Sequence, residues 1–242
     1  MIRRLALAAL CSVAASGLAD AQVFVLPSEG PERPGSWSFT IGGQMADPVG
    51  ELDANIGEAW GGGGTLRYLF RSAAPLGVRA DVSFLNYGSE RKRVPLSSTL
   101  NRVLVDMNTT NNIALITAGP ELLLLRGPIT PYVYAFAGYS YFYTETDARD
   151  DDWDGGSFAS STNFDDGGLA TGWGGGIRIP LRIRSVNASI DAGARHTKNG
   201  VREYLTHGDI LDVPGGFVAL PRTTRADFRQ YHLGVSFSWR RR

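Results

Sequence analysis

The chain is almost without cysteine: its 242 residues hold one, Cys11. It is also without net charge, because 24 basic and 24 acidic residues cancel. Nothing here offers the basic surface that a nucleic-acid partner needs. Past residue 18 it lacks any apolar run near the roughly 20 residues of a spanning helix, and the mean hydropathy is −0.11. Helical membrane spans are thereby excluded. Glycine and aromatics are plentiful instead, with 30 Gly, 11 Phe, 9 Tyr and 5 Trp.

The N-terminus reads as an export signal. Met1-Ile2-Arg3-Arg4 is followed by an apolar stretch from Leu5 to Leu18 and by Ala19-Asp20-Ala21. A basic start, a short apolar core and a small-x-small site predict cleavage after Ala21, so residues 1–21 form a signal peptide. Cys11 lies inside it, and Leu10 is a poor fit to a lipoprotein site. The mature chain is expected to have no thiol, no disulfide and no cysteine metal site. Loss of Arg3, Arg4 and Asp20 leaves a net charge of about −1. Residues 22–34, with three prolines, read as a flexible lead-in. Residues 35–242 read as one domain.

The last strand-like run carries most information. In Tyr231-His232-Leu233-Gly234-Val235-Ser236-Phe237-Ser238-Trp239 the large apolar residues hold odd positions, and His, Gly and Ser hold even ones. Period-two alternation gives a strand one apolar and one small or polar face. Seven further segments read the same way, at roughly 35–45, 61–71, 77–90, 111–125, 130–145, 168–181 and 186–199, and the last spans 227–239. The fifth is apolar on both faces (Tyr132 to Ala137). Gly138, Ser140 and Thr144 place its even positions inside. Segments 72–76, 126–129 and 182–185 are short, whereas 46–60, 91–110, 146–167 and 200–226 are long. Short and long connections alternate, which predicts tight turns at one end and long loops at the other.

The polar faces settle which side is in. Arg67, Arg79, Asp81, Glu121, Arg178, Asp191, Arg195 and His232 all fall on them. In a soluble eight-stranded barrel the apolar face points inward. Here the inward set would be charged, so the apolar face must meet lipid, where a charge costs about 2–4 kcal/mol at mid-depth. The expected fold is all-β: an eight-stranded antiparallel up-and-down transmembrane β-barrel with short periplasmic turns and long extracellular loops. Eight strands enclose an interior that side chains just fill. The inward charges read as a lumen network, or as the gate of a narrow ion path.

The signal peptide, Thr130-Pro131-Tyr132, Gly193-Ala194-Arg195 and the terminal aromatic strand together resemble the small outer-membrane barrels typified by outer-membrane proteins A (its barrel) and X. The resemblance covers the mature chain. It implies a bacterial outer-membrane location and contact with lipid and lipopolysaccharide. It also implies passage through periplasmic chaperones to the barrel-assembly machinery, which would read Tyr231, Leu233, Val235, Phe237 and Trp239 as the assembly signal. Here Trp239 is followed by three arginines, a departure from the family's aromatic C-terminus. A monomer with a structural or interaction role is expected, serving envelope integrity, adhesion or defence through an extracellular partner of its loops. A small-solute channel is the alternative. No cofactor is implied, and no peptidoglycan-binding domain is expected beside the barrel.

Two local patterns bear on chemistry. Asp150-Asp151-Asp152-Trp153-Asp154-Gly155 matches the opening of a calcium loop, with Asp150, Asp152 and Asp154 as ligands. Its twelfth position is Ser161 rather than glutamate, and a solvated acidic loop is the alternative. His196-Thr197-Lys198-Asn199 faintly resembles the His-x-Ser-Asn of lipid A deacylases, but Lys198 stands where that family has its serine nucleophile. No triad resembling the lipid A palmitoyltransferases is present. The chain is therefore expected not to be an enzyme. The run Gly61 to Gly64 lacks the Gly-Lys-Ser/Thr of a phosphate loop, and with Gly174 to Gly176 it reads as barrel wall.

Overall fold

The computed structural model describes residues 34–71, 75–95, 104–125, 127–149, 157–183, 186–206, 208–213 and 216–240. The signal peptide, Cys11 and nearly all of the lead-in lie outside them. Among the described residues there are twelve strands: β1 (Ser36–Pro48), β2 (Ala59–Leu69), β3 (Leu76–Pro95), β4 (Leu104–Leu123), β5 (Thr130–Arg149), β6 (Ser157–Ile183), β7 (Val186–Lys198), β8 (Val201–Tyr204), β9 (Ile210–Val213), β10 (Gly216–Ala219), β11 (Arg222–Arg225) and β12 (Phe228–Arg240).

Strands β1 to β7 and β12 form a closed antiparallel barrel in which each pairs with its neighbours in sequence. Closure is made by β12 on β1, in unbroken register from Ser36↔Arg240 to Pro48↔Phe228. The remaining four strands form two small hairpin-like pairs, β8 with β11 and β9 with β10, in the connection between β7 and β12. Gly35 enters β1 with φ +79° and Gly200 leaves β7 with φ +71°, a region closed to most side chains.

All eight barrel strands lie where alternation places them, and the even positions of β5 are the inward ones: Tyr132, Tyr134, Phe136, Ser140, Phe142 and Thr144 are buried. The connections differ from expectation. Much of 91–110 and 146–167 continues as strand: β3 and β4 pair up to Pro95↔Leu104, and β5 and β6 up to Arg149↔Ser157. The ladder of β2 on β3 ends at Trp60↔Asn86, and that of β6 on β7 at Thr171↔Lys198. Four strands therefore rise past the rest of the wall, by roughly 30 Å of strand for Tyr87 to Pro95 at about 3.3 Å per residue. Beyond the barrel the sequence is mostly polar at odd and even positions alike, so these stretches carry no period-two signal.

The outer face sorts by hydrophobicity. Ile41, Phe84, Ile116, Tyr139, Leu169, Trp173, Leu233 and Phe237 point outward and are exposed. No Asp, Glu, Lys or Arg stands among the outward positions from Trp37 to Met45, Leu76 to Phe84, Ala114 to Leu122, Val133 to Tyr141, Leu169 to Ile179, Ala188 to His196 or Tyr231 to Trp239. Ten residues of tilted strand cover about 25 Å, the height of a bilayer's apolar band. Aromatics mark its edge at the chain-end side, where Trp37 packs on Tyr68 at 4.9 Å between ring centres and pairs with Trp239.

Candidate functional site: the sealed lumen

The lumen is built from three rows of residues in register. On β6 the inward positions Gly172, Gly174 and Gly176 have no side chain. Directly opposite on β5 stand Phe136, Tyr134 and Tyr132. A Cβ on Gly172 would come within 2.6 Å of the Phe136 ring, one on Gly174 within 2.7 Å of the Tyr134 ring, and one on Gly176 within 2.6 Å of the Tyr132 hydroxyl. The glycines thus let three rings lie against the wall. Each ring carries a guanidinium: Arg178 lies 3.7 Å from the centre of Tyr132, Arg79 lies 3.7 Å from Tyr134, and Arg195 lies 5.3 Å from Phe136. Desolvated contacts of this kind contribute about 2 kcal/mol.

The carboxylates complete the layer. Glu121, on β4, accepts from Arg178 Nη2 at 2.9 and 2.8 Å and from Arg79 Nη1 at 3.2 Å, with Arg67 Nε at 3.6 Å. Asp191 stands directly across the β6–β7 ladder from Arg178. It accepts from Arg178 Nε at 3.1 Å and Tyr132 Oη at 2.7 Å, and lies 3.3 Å from His232 Nε2. Asp81 accepts from Arg79 Nε at 3.0 Å, Arg79 Nη2 at 2.6 Å and Thr65 Oγ1 at 2.6 Å. Arg195 donates from Nε to Gln230 at 2.7 Å and from Nη2 to Ser83 at 3.0 Å, and Gln230 in turn bonds Gln44. Arg178 is completely buried, and the other three arginines are no more than 7% exposed.

All eight sequence-derived lumen residues thus face inward and share one layer. Sequence reasoning placed Tyr132, Tyr134 and Phe136 inward with the even positions of β5, but assigned neither them nor the neutral members Thr40, Gln44, Thr65, Ser83 and Gln230 to the network. One cavity of about 20 Å³ remains within the layer. A single water needs about 10–15 Å³.

A second seal lies at the mouth. Leu52 and Ile56, from the connection between β1 and β2, are buried in an apolar cluster with Leu85, Ile113, Leu115, Phe142, Tyr204 and Phe228. The Tyr204 ring meets Tyr87 edge-on at 6.4 Å and Phe142 at 6.1 Å, and Tyr87 Oη donates to Leu205 O at 3.0 Å. Tyr204, at the end of β8, thus packs into the barrel.

Above this seal Arg222 clasps two connections. It donates to Asp209 at 2.9 and 3.1 Å and to Asn55 at 3.0 Å, while Arg225 N donates to Glu51 at 2.9 Å. Burial would raise the Asp209 carboxyl. The hydrogen bonds from Arg222 and Thr206 outweigh it and hold the group below its ordinary 3.8. A depressed folded value means the clasp contributes above the unfolded value and is lost as pH falls through the folded one. Asp209→Asn should therefore speed proteolytic nicking of 206–222 at pH 7, with the barrel intact and the difference from wild type vanishing in strong acid. Equal nicking rates at pH 7 would count against the clasp.

The other candidates are placed as follows. Tyr231, Leu233, Val235, Phe237 and Trp239 form the outward face of β12, the closing strand. His196 points outward beside Trp173, at 6.5 Å between rings, and Lys198 is exposed on the same face. Asp150, Asp152 and Asp154 lie outside the described residues. Ser161 is in β6.

A closed barrel with apolar residues outside and paired charges inside is a membrane-spanning protein, of the small eight-stranded kind. No family model and no curated protein matches the chain. Among solved structures it is similar to Ail, the attachment invasion locus protein of Yersinia pestis, at 15% identity, covering 86% of this chain and 100% of that one with a TM-score of 0.42. It is similar to Neisserial surface protein A at 14% identity, covering 86% and 97% with a TM-score of 0.47. It is also similar to the outer membrane protein OprG of Pseudomonas aeruginosa at 14% identity, covering 89% and 100% with a TM-score of 0.46. The class follows from the chain's own geometry.

Proposed function

We propose that this is an outer-membrane barrel of a diderm bacterium that works as a closed anchor rather than as a pore. Its working surface is the set of strands and connections rising above the lipid. One observation carries the reading: the lumen is blocked twice, by the arginine–carboxylate layer and by the apolar cluster under Leu52 and Tyr204. A chain whose interior is spent on sealing has its exterior left for function. That exterior is a four-stranded extension of β3 to β6 braced by β8, through Arg202 to Leu169 O at 2.9 Å. Envelope integrity, adhesion or defence through an extracellular partner fits such a surface. A cleaved signal peptide and recognition of the β12 aromatics by the assembly machinery belong to the same reading.

The channel alternative needs a wet path, and the two packed layers argue against one. An enzymatic role needs a nucleophile near the rim, and beside His196 the sequence supplies Lys198 instead. Single-channel recording of the refolded mature protein in planar bilayers tests the choice. Wild type is expected to be silent, while heat-modifiable migration shows it folded. Discrete openings in wild type would overturn the closed-anchor reading and make the Glu121 layer a gate.

A further inference from the structure

The ion-pair layer does not balance. Among the described residues, the buried Arg67, Arg79, Arg178 and Arg195 face Asp81, Glu121 and Asp191, one carboxylate fewer than the guanidiniums. An uncompensated buried charge costs several kcal/mol. The excess belongs to Arg195. Among the described residues no carboxylate oxygen lies within salt-bridge distance of it; its partners are the neutral Gln230 and Ser83 and the Phe136 ring.

Arg195 lines the 20 Å³ cavity together with Arg79, Thr65, Gln230 and Tyr134. Tyr134 is 5% exposed, and its hydroxyl has no hydrogen-bond partner. An unpaired buried hydroxyl is costly unless a ligand or water meets it. The room comes from a row of glycines: Gly63, Gly42 and Gly234 stand side by side across β2, β1 and β12 and leave that stretch of wall bare. Asp81 and His232 also line the space. Asp81 is spoken for by Arg79 and Thr65, and His232 lies against Asp191.

We propose that this cavity is a binding site for a small monovalent inorganic anion, chloride being the physiological choice, held between the Arg195 guanidinium and the Tyr134 hydroxyl. Size selects a monatomic ion, since an organic acid does not fit. The anion supplies the missing negative charge and the missing acceptor together. It is a structural ligand of the lumen and goes beyond the anchoring role.

The test uses the mature protein refolded from urea into zwitterionic detergent, at fixed ionic strength, with sodium chloride exchanged stepwise for sodium gluconate. The melting temperature is expected to rise saturably with chloride, by about 5 °C if the dissociation constant is on the order of 10 mM. A general salt effect rises without saturation. Line broadening of the ³⁵Cl resonance by wild type gives a reading that needs no variant. Arg195→Gln should remove the chloride dependence, and Tyr134→Phe should weaken it several-fold. If Arg195→Gln fails to fold, Tyr134→Phe and the wild-type broadening decide. Coincident chloride and gluconate curves with no broadening would mean that the cavity holds water, and the proposal falls. An unchanged chloride dependence in folded Arg195→Gln also sinks it.

Discussion

Glu121→Ala lowers the stability of the folded barrel by about 3–5 kcal/mol, the usual loss when one partner of a buried ion pair is removed. Three arginines converge on this carboxylate, and Arg178 gives it both of its shortest hydrogen bonds. Alanine leaves them facing one another in a site already one negative charge short. Glu121→Gln should lose less, because an amide oxygen still accepts from Arg178. Adding Arg178→Met to Glu121→Ala should recover only part of the loss: it removes one uncompensated guanidinium, but leaves Arg67 and Arg79 facing the gap and takes Arg178 from Asp191. Urea unfolding in detergent, followed by heat-modifiable migration, measures all three. A Glu121→Ala midpoint equal to wild type would show that the layer does not hold the barrel closed. The same variant in planar bilayers reports whether the layer alone seals the lumen. The apolar cluster under Leu52 predicts continued silence there.

The alternation in β1, β3, β4, β7 and β12 was readable because lipid and lumen impose opposite demands on adjacent residues. Ile116 and Thr117 are neighbours in sequence and opposites in setting, one 65% exposed to the apolar phase and the other buried. For the same reason the eight lumen charges could be placed on the inward face. Their partners could not. Glu121 on β4 reaches Arg178 on β6 and Arg67 on β2, and only the closure and stagger of the whole barrel bring those three strands' side chains together. The aromatic row was half legible: β5 is apolar on both faces, and Gly138, Ser140 and Thr144 gave its facing but not what the inward rings meet. The clue was in β6 instead: glycines at 172, 174 and 176 make sense only opposite large residues, and Tyr132, Tyr134 and Phe136 stand opposite them. Leu52 and Ile56 were invisible as plug residues because a connection has no periodicity from which to read a facing.

The two faces of β4 also give the sharpest test of the membrane setting. Ile116→Arg puts a guanidinium at the middle of the outward belt, between Val82 of β3 and Tyr139 of β5. In a bilayer that should cost about 2–4 kcal/mol. Val201→Arg makes the same change at an exposed residue of β8, outside the barrel wall, and should cost no more than about 1 kcal/mol. In water the difference would vanish, because an arginine on an exposed face of a soluble barrel is harmless at either position. Reversible folding of both variants into phospholipid vesicles, read by tryptophan fluorescence against urea, gives the numbers. A loss confined to Ile116→Arg fixes the apolar exterior as the lipid face and the charged row behind it as the lumen. Equal, small losses at both positions would mean that the exposed belt is covered by something other than a bilayer.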